Sequence, residues 1–400
     1  MSEKVKNILR KPYQAMKKGK NLLSPDYHRT RSMKKMRQKA RELNNYESPK
    51  RALVYVIYEN QEFLQEYKLI FLKELVKLCQ KVLIVVNGSL PEKDIAELST
   101  YGQVMQRENN GYDAAAFRAG SLQLLDESLD DFDELLLVND TSVGPFKDLN
   151  QVFAKMAKQH LDFWGISYGG QSPDVTGFNR YGYIPRHLQS YFLVIEKSMF
   201  QDASFRQYWE ELGDTSSRDM AIGRHETVFT KYFEDLGFAS GALSHSTLPG
   251  TVYFHPLTLI QEDDVPLVKY TAFENTTDIK FEWHGYTSHT EIPALLEFIQ
   301  EETDYPFEII QKIMDDLSKK VYQEFVLVIY EQMTPQLQEE IDKLQAAGEQ
   351  VKAIEKSAFH ISSGEHAKAI VYYQTSELEN LSRVAKMGNI PILQNLSDLL

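Results

Sequence analysis

The sequence predicts an α/β fold on a mostly parallel sheet, with a basic arm before it and a smaller α/β unit after it. Three observations carry that prediction. From Arg51 onward, short runs of β-branched and aliphatic residues alternate with stretches of helical spacing. Leu135, Leu136, Leu137 and Val138 are consecutive apolar residues, the pattern of a strand buried on both faces. A 400-residue chain that is 42% apolar and 12% aromatic can bury a sizeable core in two or three domains.

Taken in order, Leu53–Tyr58 is a β-rich run, and Phe63, Tyr67, Ile70, Phe71 and Leu75 mark a helix within Phe63–Cys79. Val82–Val86 is a second buried strand, closed by Asn87-Gly88-Ser89. Pro91 opens a helix where proline is best tolerated. Gln103–Gln106 is a shorter strand, Ala114–Leu125 a helix, and Leu135–Val138 the fourth strand. Leu149–Ala157 reads as a helix and Phe163–Ile166 as a strand. Gly169–Arg186 is rich in Gly, Ser, Pro, Asn and Tyr and reads as a long loop, a feature often tied to function. Tyr191–Ile195 is a strand, and Phe205–Leu212 and Glu226–Leu236 are helices, the latter stopped by Gly237. Residues 250–290 are aromatic and irregular. Pro293–Ile299 and Pro306–Leu317 are amphipathic helices. A new strand and helix series then begins at Phe325, with strands at 351–354, 369–373 and 390–393 and helices at 334–346 and 376–387. The expected division is a basic arm at 1–50, an α/β domain at 51–318 and a small α/β unit at 319–400.

Charge is divided as sharply as pattern. Residues 1–51 hold 16 Lys and Arg against four acids, a net of +12, while the whole chain carries −13, so the remainder carries −25. Val5, Ile8 and Leu9 fit a short amphipathic helix in the arm. A solvated tail and an arm lying on anionic lipid headgroups both fit, since each surface Lys or Arg contributes about 1 kcal/mol there. Nucleic acid is disfavoured as a partner: the acidic remainder repels a polyanion, and no recognised nucleic-acid motif follows. The single cysteine, Cys79, excludes an internal disulfide and sits among apolar residues, as a small hydrophobe does. No apolar run approaches the roughly 20 residues of a membrane span, and Met1–Lys6 lacks the apolar core of a signal peptide. A cytoplasmic protein is expected.

In an open parallel sheet, ligands bind outside the carboxyl ends of the strands. Those ends carry Glu59-Asn60, Asn87-Gly88-Ser89, Arg107 to Asp113, and Asn139-Asp140-Thr141-Ser142. Arg107 suits a base or phosphate, because its guanidinium matches oxyanions bidentately. Gly111 lets backbone approach a ligand. Asp140 suits a metal or a phosphorylated ligand, and equally suits a helix cap. There is no G-x-G-x-x-G after a strand, no P-loop lysine and no G-x-S-x-G elbow, so dinucleotide, ATPase and serine-hydrolase chemistry are weakly supported.

In order along the chain stand Asn109-x-Gly111-Tyr112-Asp113, Leu137 to Pro145, Trp164-Gly165, His187 to Phe192, and Glu226 ahead of a helix stopped by Gly237. Together they resemble the rhamnan synthesis protein F family over about residues 52–315. The resemblance implies a GT-A-like fold and an inverting, sugar-nucleotide-dependent glycosyltransferase of bacterial cell-wall and capsule assembly. It implies dTDP-L-rhamnose as donor and a lipid-linked glycan at the cytoplasmic face of the membrane as acceptor. The basic arm would then hold the protein peripherally where its acceptor is anchored.

The resemblance also assigns roles to test. Arg107, Asn109, Gly111, Asn139, Asp140 and Lys269 would contact the donor, with Arg186 and Arg224 as further sources of positive charge. Where such enzymes usually carry Asp-x-Asp, this chain has Asn139-Asp140-Thr141, so Asp140 is the expected ligand of Mg²⁺ or Mn²⁺ and the diphosphate would supply most of the remaining coordination. Glu226 is the first candidate for the base that deprotonates the acceptor hydroxyl, and Asp113 the second; both suit helix caps as well. His187, Gln189 and Ser190 would line the acceptor site. A non-catalytic carbohydrate-binding or scaffolding protein is the alternative. A glycoside hydrolase, which also uses two carboxylates, fits poorly with this sheet pattern.

Overall fold

The computed structural model describes residues 34–39, 48–59, 63–213, 215–246, 251–274, 290–318, 323–329, 333–346, 350–360, 366–375 and 392–393. The described residues up to Thr251, together with Thr258–Val268, form one compact unit, and Val252–Leu257 with those from Lys269 onward form a second.

The first unit is built on strands β1 (Arg51–Glu59), β2 (Lys81–Gly88), β3 (Gln103–Arg107), β4 (Glu134–Asn139), β5 (Phe163–Gly165), β6 (Phe192–Glu196) and β7 (Ser240–Ala242). They lie side by side in the order β3-β2-β1-β4-β6-β5-β7. Strands β1 to β4 run parallel to one another, β6 is antiparallel to both β4 and β5, and β7 is parallel to β5. The α/β class with a mostly parallel sheet expected from the sequence is the one observed. Every residue of β4 is buried, as its unbroken apolar run requires. Burial on both faces contributes roughly 1.5–3 kcal/mol per large aliphatic side chain, and this fixes β1, β2 and β4 as the centre of the unit.

Helices α1 (Glu66–Val76), α2 (Glu92–Ser99), α3 (Tyr112–Asp126), α4 (Leu149–Ala157), α5 (Ala203–Glu211) and α6 (Thr227–Asp235) connect the strands. The segment read as a loop, Gly169–Arg186, contains the paired two-residue strands Ser172–Pro173 and Tyr183–Ile184, and a second such pair, Tyr168–Gly169 with His187–Leu188, brackets it. Such short pairings leave no periodicity to detect. The strand β7 is also absent from the sequence reading, because Ser-Gly-Ala carries no β signal.

The second unit contains helices α7 (Ile292–Glu302), α8 (Phe307–Ser318) and α9 (Pro335–Ala346). Its strands β8 (Gln323–Ile329), β9 (Gln350–His360), β10 (His366–Thr375) and β11 (Ile392–Leu393) form an antiparallel sheet in the order β9-β10-β8-β11. The second unit takes in Val252–Leu257 and the described residues from Lys269 onward, where the sequence reading placed its last boundary at 318. The reason is that α8 contacts the 3₁₀ turn Tyr270–Glu274, so Ala272, Phe273, Ile309, Ile310 and Ile313 are all buried in the second unit. The irregular stretch expected from residue 250 includes short helices at Thr251–Phe254 and Pro256–Glu262. The helix expected at 376–387 and most of the basic arm lie outside the described residues.

Candidate functional site

The carboxyl ends of β1 to β4 lie on one side of the sheet. Because β6 is antiparallel, the residues that precede it lie on that side too, and Asn139 N–H donates to Tyr191 O at 3.0 Å. One sheet end thus gathers the turn after β4, the start of α3 and the His187–Tyr191 segment.

Asn139 and Asp113 form a matched pair. The Asn139 Nδ2 donates to Asp113 Oδ2 at 2.7 Å, while its Oδ1 accepts from Thr141 N–H at 3.2 Å and Thr141 Oγ1 at 2.7 Å. An aspartate in place of Asn139 would set two carboxylates against each other. The asparagine at this position is therefore matched to its neighbour, the Asp113 carboxylate in the first turn of α3. Gly111 ahead of it has φ +90°, and a Cβ there would lie 2.6 Å from Ala115 Cβ and 2.9 Å from Thr215 Oγ1. Thr215 Oγ1 donates to Gly111 O at 2.8 Å, a contact for which the sequence held no signal. Asn109 is half-buried beside this turn.

Glu226, His187 and Ser190 converge. Ser190 Oγ donates to Glu226 Oε2 at 3.1 Å, and His187 Nε2 lies 4.0 Å from Glu226 Oε1. His187 Nδ1 is 2.8 Å from Pro185 O. A carbonyl only accepts, so Nδ1 carries a proton and Nε2 faces Glu226. Gly169 makes room for the ring: a Cβ there would lie 2.6 Å from His187 Cε1 and Nε2. Gln189 Oε1 accepts from Ser167 Oγ at 2.7 Å, and the same hydroxyl is 3.1 Å from Tyr191 Oη.

The helix-opening position expected for Glu226 is corrected. It ends a π-helical turn, Ile222–Glu226, that continues directly into α6, and its side chain caps nothing. π-Turns inside helices recur at functional sites because they re-aim side chains. Glu226, 29% exposed, is aimed at Ser190. Its neighbour His225 points the other way, into a cluster of Phe117, Tyr208, Trp209 and Phe229. Burial lowers its pKa to about 3, so it is neutral and structural, with Nδ1 2.8 Å from Tyr208 Oη.

Asp140 departs from expectation. It is 4% exposed. Its Oδ2 accepts from Tyr58 N–H at 2.9 Å and pairs with Lys68 Nζ at 2.8 Å. The same ammonium is 2.7 Å from Glu59 Oε1 and 2.6 Å from Tyr58 O. Burial raises the Glu59 pKa against the opposing pull of Lys68. Burial works against the Lys68 charge, but Asp140 and Glu59 outweigh it and raise its pKa. A divalent metal on Asp140 would share that carboxylate with an ammonium ion, so these residues do not fit a metal there. Among the described residues, no group of three or more His, Cys, Asp or Glu side chains is arranged to hold a metal ion.

The remaining candidates sit as follows. Arg107 Nη1 donates to the buried Asn87 Oδ1 and Nη2 to Asn110 O at 2.6 Å, which braces the ends of β2 and β3. Arg186 stacks over the Tyr168 ring at 4.0 Å and lies 3.8 Å from Glu234. Arg224 lies 5.7 Å from the Phe178 ring. Lys269 belongs to the second unit. Within the arm, residues 34–39 are helical, and Arg37 donates to Asp202 at 2.9 Å while covering the Phe238 ring at 3.5 Å.

A cavity of about 490 Å³ opens at the opposite end of the sheet, lined by Arg51, Glu134, Phe153, His160, Trp164 and Glu196 among others. None of the sequence-derived candidates lines it. Glu134 and Glu196 face each other across β4 and β6, and burial, then Glu134, pushes Glu196 up to about 9.

A family model for rhamnan synthesis protein F matches residues 82–351. The chain belongs to this family. The rhamnan synthesis protein F match takes in Arg107 to Asp113, Asn139-Asp140, His187 to Ser190 and Glu226, while Glu59 and Lys68 precede it. Virulence protein VirA of Vibrio anguillarum is 23% identical over 229 residues, which is 56% of this chain and 65% of that protein. The chain thus spans just under two thirds of that relative's length. Among solved structures, core-mannan synthase A (CmsA/Ktr4) from Aspergillus fumigatus in its Mn/GDP form has a TM-score of 0.27 at 12% identity, covering 49% of this chain and 72% of that one. The mannosyltransferase Ktr4p from S. cerevisiae has a TM-score of 0.29 at 9% identity, covering 54% and 77%. Both are distant likenesses.

Proposed function

We propose that this rhamnan synthesis protein F member is a glycosyltransferase that moves a sugar from a nucleotide-sugar donor to a glycan acceptor by direct displacement. The observation that carries the reading is the meeting of Glu226 with Ser190 at 3.1 Å and His187 at 4.0 Å, at the sheet end that also holds the Asp113–Asn139 pair. In this reading Glu226 takes the proton from the attacking hydroxyl. Ser190 fixes one carboxylate oxygen, and the His187 ring limits how the carboxylate can turn. Asp113 is the second carboxylate, placed to accept from donor hydroxyls while Asn139 orients it. The loop from Arg107 through Asn109 to Gly111 offers guanidinium and backbone groups to the nucleotide.

The family name supports rhamnose as the sugar, which makes dTDP-L-rhamnose the donor to test first and a lipid-linked glycan the acceptor class. The basic arm supports a peripheral site at an anionic membrane surface on the cytoplasmic side, though Arg37 is already held by Asp202 and Phe238. No helix among the described residues is long and apolar enough to cross a membrane.

The test is a donor screen with the purified full chain, following nucleotide release from dTDP-L-rhamnose and a panel of UDP- and GDP-sugars. Release from one nucleotide class, lost in Glu226→Gln, is expected. A folded protein that releases nucleotide from none of them overturns the reading. One observation favours a second reading, a non-catalytic glycan-binding member: the carboxylate expected to serve the donor is engaged by Lys68. Calorimetry with dTDP and UDP separates the two, since a glycan-binding scaffold need bind neither.

A further inference from the structure

Lys68 is a lysine at a core position. Along α1 it shares a helical face with Phe71, Leu72 and Leu75, spaced i, i+3, i+4 and i+7, and all four are buried. Isolated, a buried ammonium is driven toward its neutral form. Here three oxygens surround it: Glu59 Oε1 at 2.7 Å, Asp140 Oδ2 at 2.8 Å and Tyr58 O at 2.6 Å. An ammonium has three donors, and all three are used. The side chains of Lys68, Glu59 and Asp140 are 5%, 2% and 6% exposed.

This is a cation site by every chemical measure except the identity of the cation. Two carboxylates and a backbone carbonyl are the oxygen ligands hard divalent ions take. They come from the end of β1 and the turn after β4, the two central strands, where the sequence places a metal. We propose that Lys68 is the resident cation of this sheet end: its ammonium stands where a divalent ion on Asp140 would stand, so Asp140 is one arm of a fixed ion triad and not a metal ligand. The inference concerns how this sheet end is held and stands apart from whether the unit transfers sugar.

Two consequences follow. The end of β1 and the turn after β4 are tied together at all times, because their cation is covalently part of α1. Removing the ammonium, by contrast, leaves two facing carboxylates and a carbonyl that nothing neutralises, which is an empty oxygen cage for a divalent ion.

The experiment uses the full chain after chelator treatment. Mn²⁺ binding is followed by its paramagnetic resonance signal, and thermal unfolding is followed with Mn²⁺ or Ca²⁺ added. For the wild type, no stoichiometric Mn²⁺ binding that depends on Asp140 and an unchanged unfolding midpoint are expected. For Lys68→Ala, the midpoint is low without metal and climbs with each tenfold rise in Mn²⁺ or Ca²⁺, and adding Asp140→Asn removes the climb. Lys68→Met, which fills the space without charge, separates loss of packing from loss of the cation and should respond less than Lys68→Ala. A wild-type protein that binds one equivalent of Mn²⁺, lost in Asp140→Asn, overturns the proposal. So does a folded Lys68→Ala indifferent to both cations. Should Lys68→Ala not fold, the wild-type and Asp140→Asn titrations decide alone. Failure of every donor in the transferase assay leaves this result untouched.

Discussion

Converting Asn139 to aspartate would restore the more usual acidic pair at this turn, and the geometry says it should harm the protein. The Asn139 amide donates to Asp113 at 2.7 Å. An aspartate there replaces a donor with a second carboxylate at the same distance. Two unit charges at 2.7 Å repel by about 6 kcal/mol at an effective dielectric of 20. Asp113 is half-buried, so solvent screening reduces this to about 3 kcal/mol. The lost hydrogen bond adds about 1 kcal/mol. Asn139→Asp should therefore cost about 4 kcal/mol near neutral pH. The sign of the pH dependence is fixed. In the folded variant one carboxyl is held protonated above its ordinary range, so the repulsive penalty is full at neutral pH and fades as pH falls toward about 4. The exchange variant Asn139→Asp/Asp113→Asn restores one donor and one acceptor and should return to within about 1 kcal/mol of wild type. Urea unfolding read by tryptophan fluorescence, to which Trp164 and Trp209 of the first unit contribute, measures all three. A single variant as stable as wild type at pH 7, or an exchange variant no better than the single one, would refute the paired-side-chain account.

Four further outcomes are expected. Glu226→Gln should leave unfolding unchanged and lower transfer by about 10²–10⁴-fold, the usual contribution of a positioned base; equal turnover would remove Glu226 from the chemistry. His225 has its pKa depressed to about 3 by burial, so below about 6.5 the unfolded chain binds a proton that the folded chain does not. Stability then falls by up to roughly 1.4 kcal/mol per pH step between about 6.5 and 3, and His225→Phe should flatten that slope in unfolding curves measured across pH. Gly169→Ala puts a methyl 2.6 Å from the His187 ring; about 1–3 kcal/mol of destabilisation is expected, with a shifted His187 ring resonance by NMR as the direct check. Removing residues 1–33, which leaves Arg37 in place, should weaken sedimentation with anionic vesicles while turnover of a water-soluble acceptor survives. Unchanged sedimentation would assign those residues another task.

The part of the fold legible in the sequence is the part written in periodicity. Leu135–Val138 and Val82–Val86 announce buried strands because burial on both faces demands unbroken apolar runs, and both strands lie where those runs lie. The antiparallel return of β6 is invisible for the same reason. Leu193, Val194 and Ile195 look alike whichever way the strand points, and only pairing with β4 and β5 sets the direction. Yet that reversal is what carries Ser190 and His187 to the same sheet end as Asn139. The unit boundary escaped detection because amphipathic helices such as α7 and α8 show that they have a buried face, never what covers it.

The site divides along a similar line. Glu226, Ser190 and His187 are separate candidates in the sequence and meet in space, because each lies at a local break in the long regular elements (a π-turn, the turn before β6 and a two-residue strand), where polar side chains are free of the core pattern. Asp140 sits at such a break too, and there the same logic misled. Its partner is a lysine hidden inside a helix whose other residues on that face are all apolar. A helical-spacing count that records Tyr67, Ile70, Phe71 and Leu75 passes over Lys68 as surface. The informative sign was the reverse one: a charge at i of an i, i+3, i+4, i+7 apolar face must be buried, and a buried charge must have a partner of opposite sign. With Glu59 and Asp140 both ending central strands of the same sheet, the partner was already fixed by topology. A lysine on the apolar stripe of a helix that follows a central strand is thus a reason to doubt a metal at the neighbouring strand end.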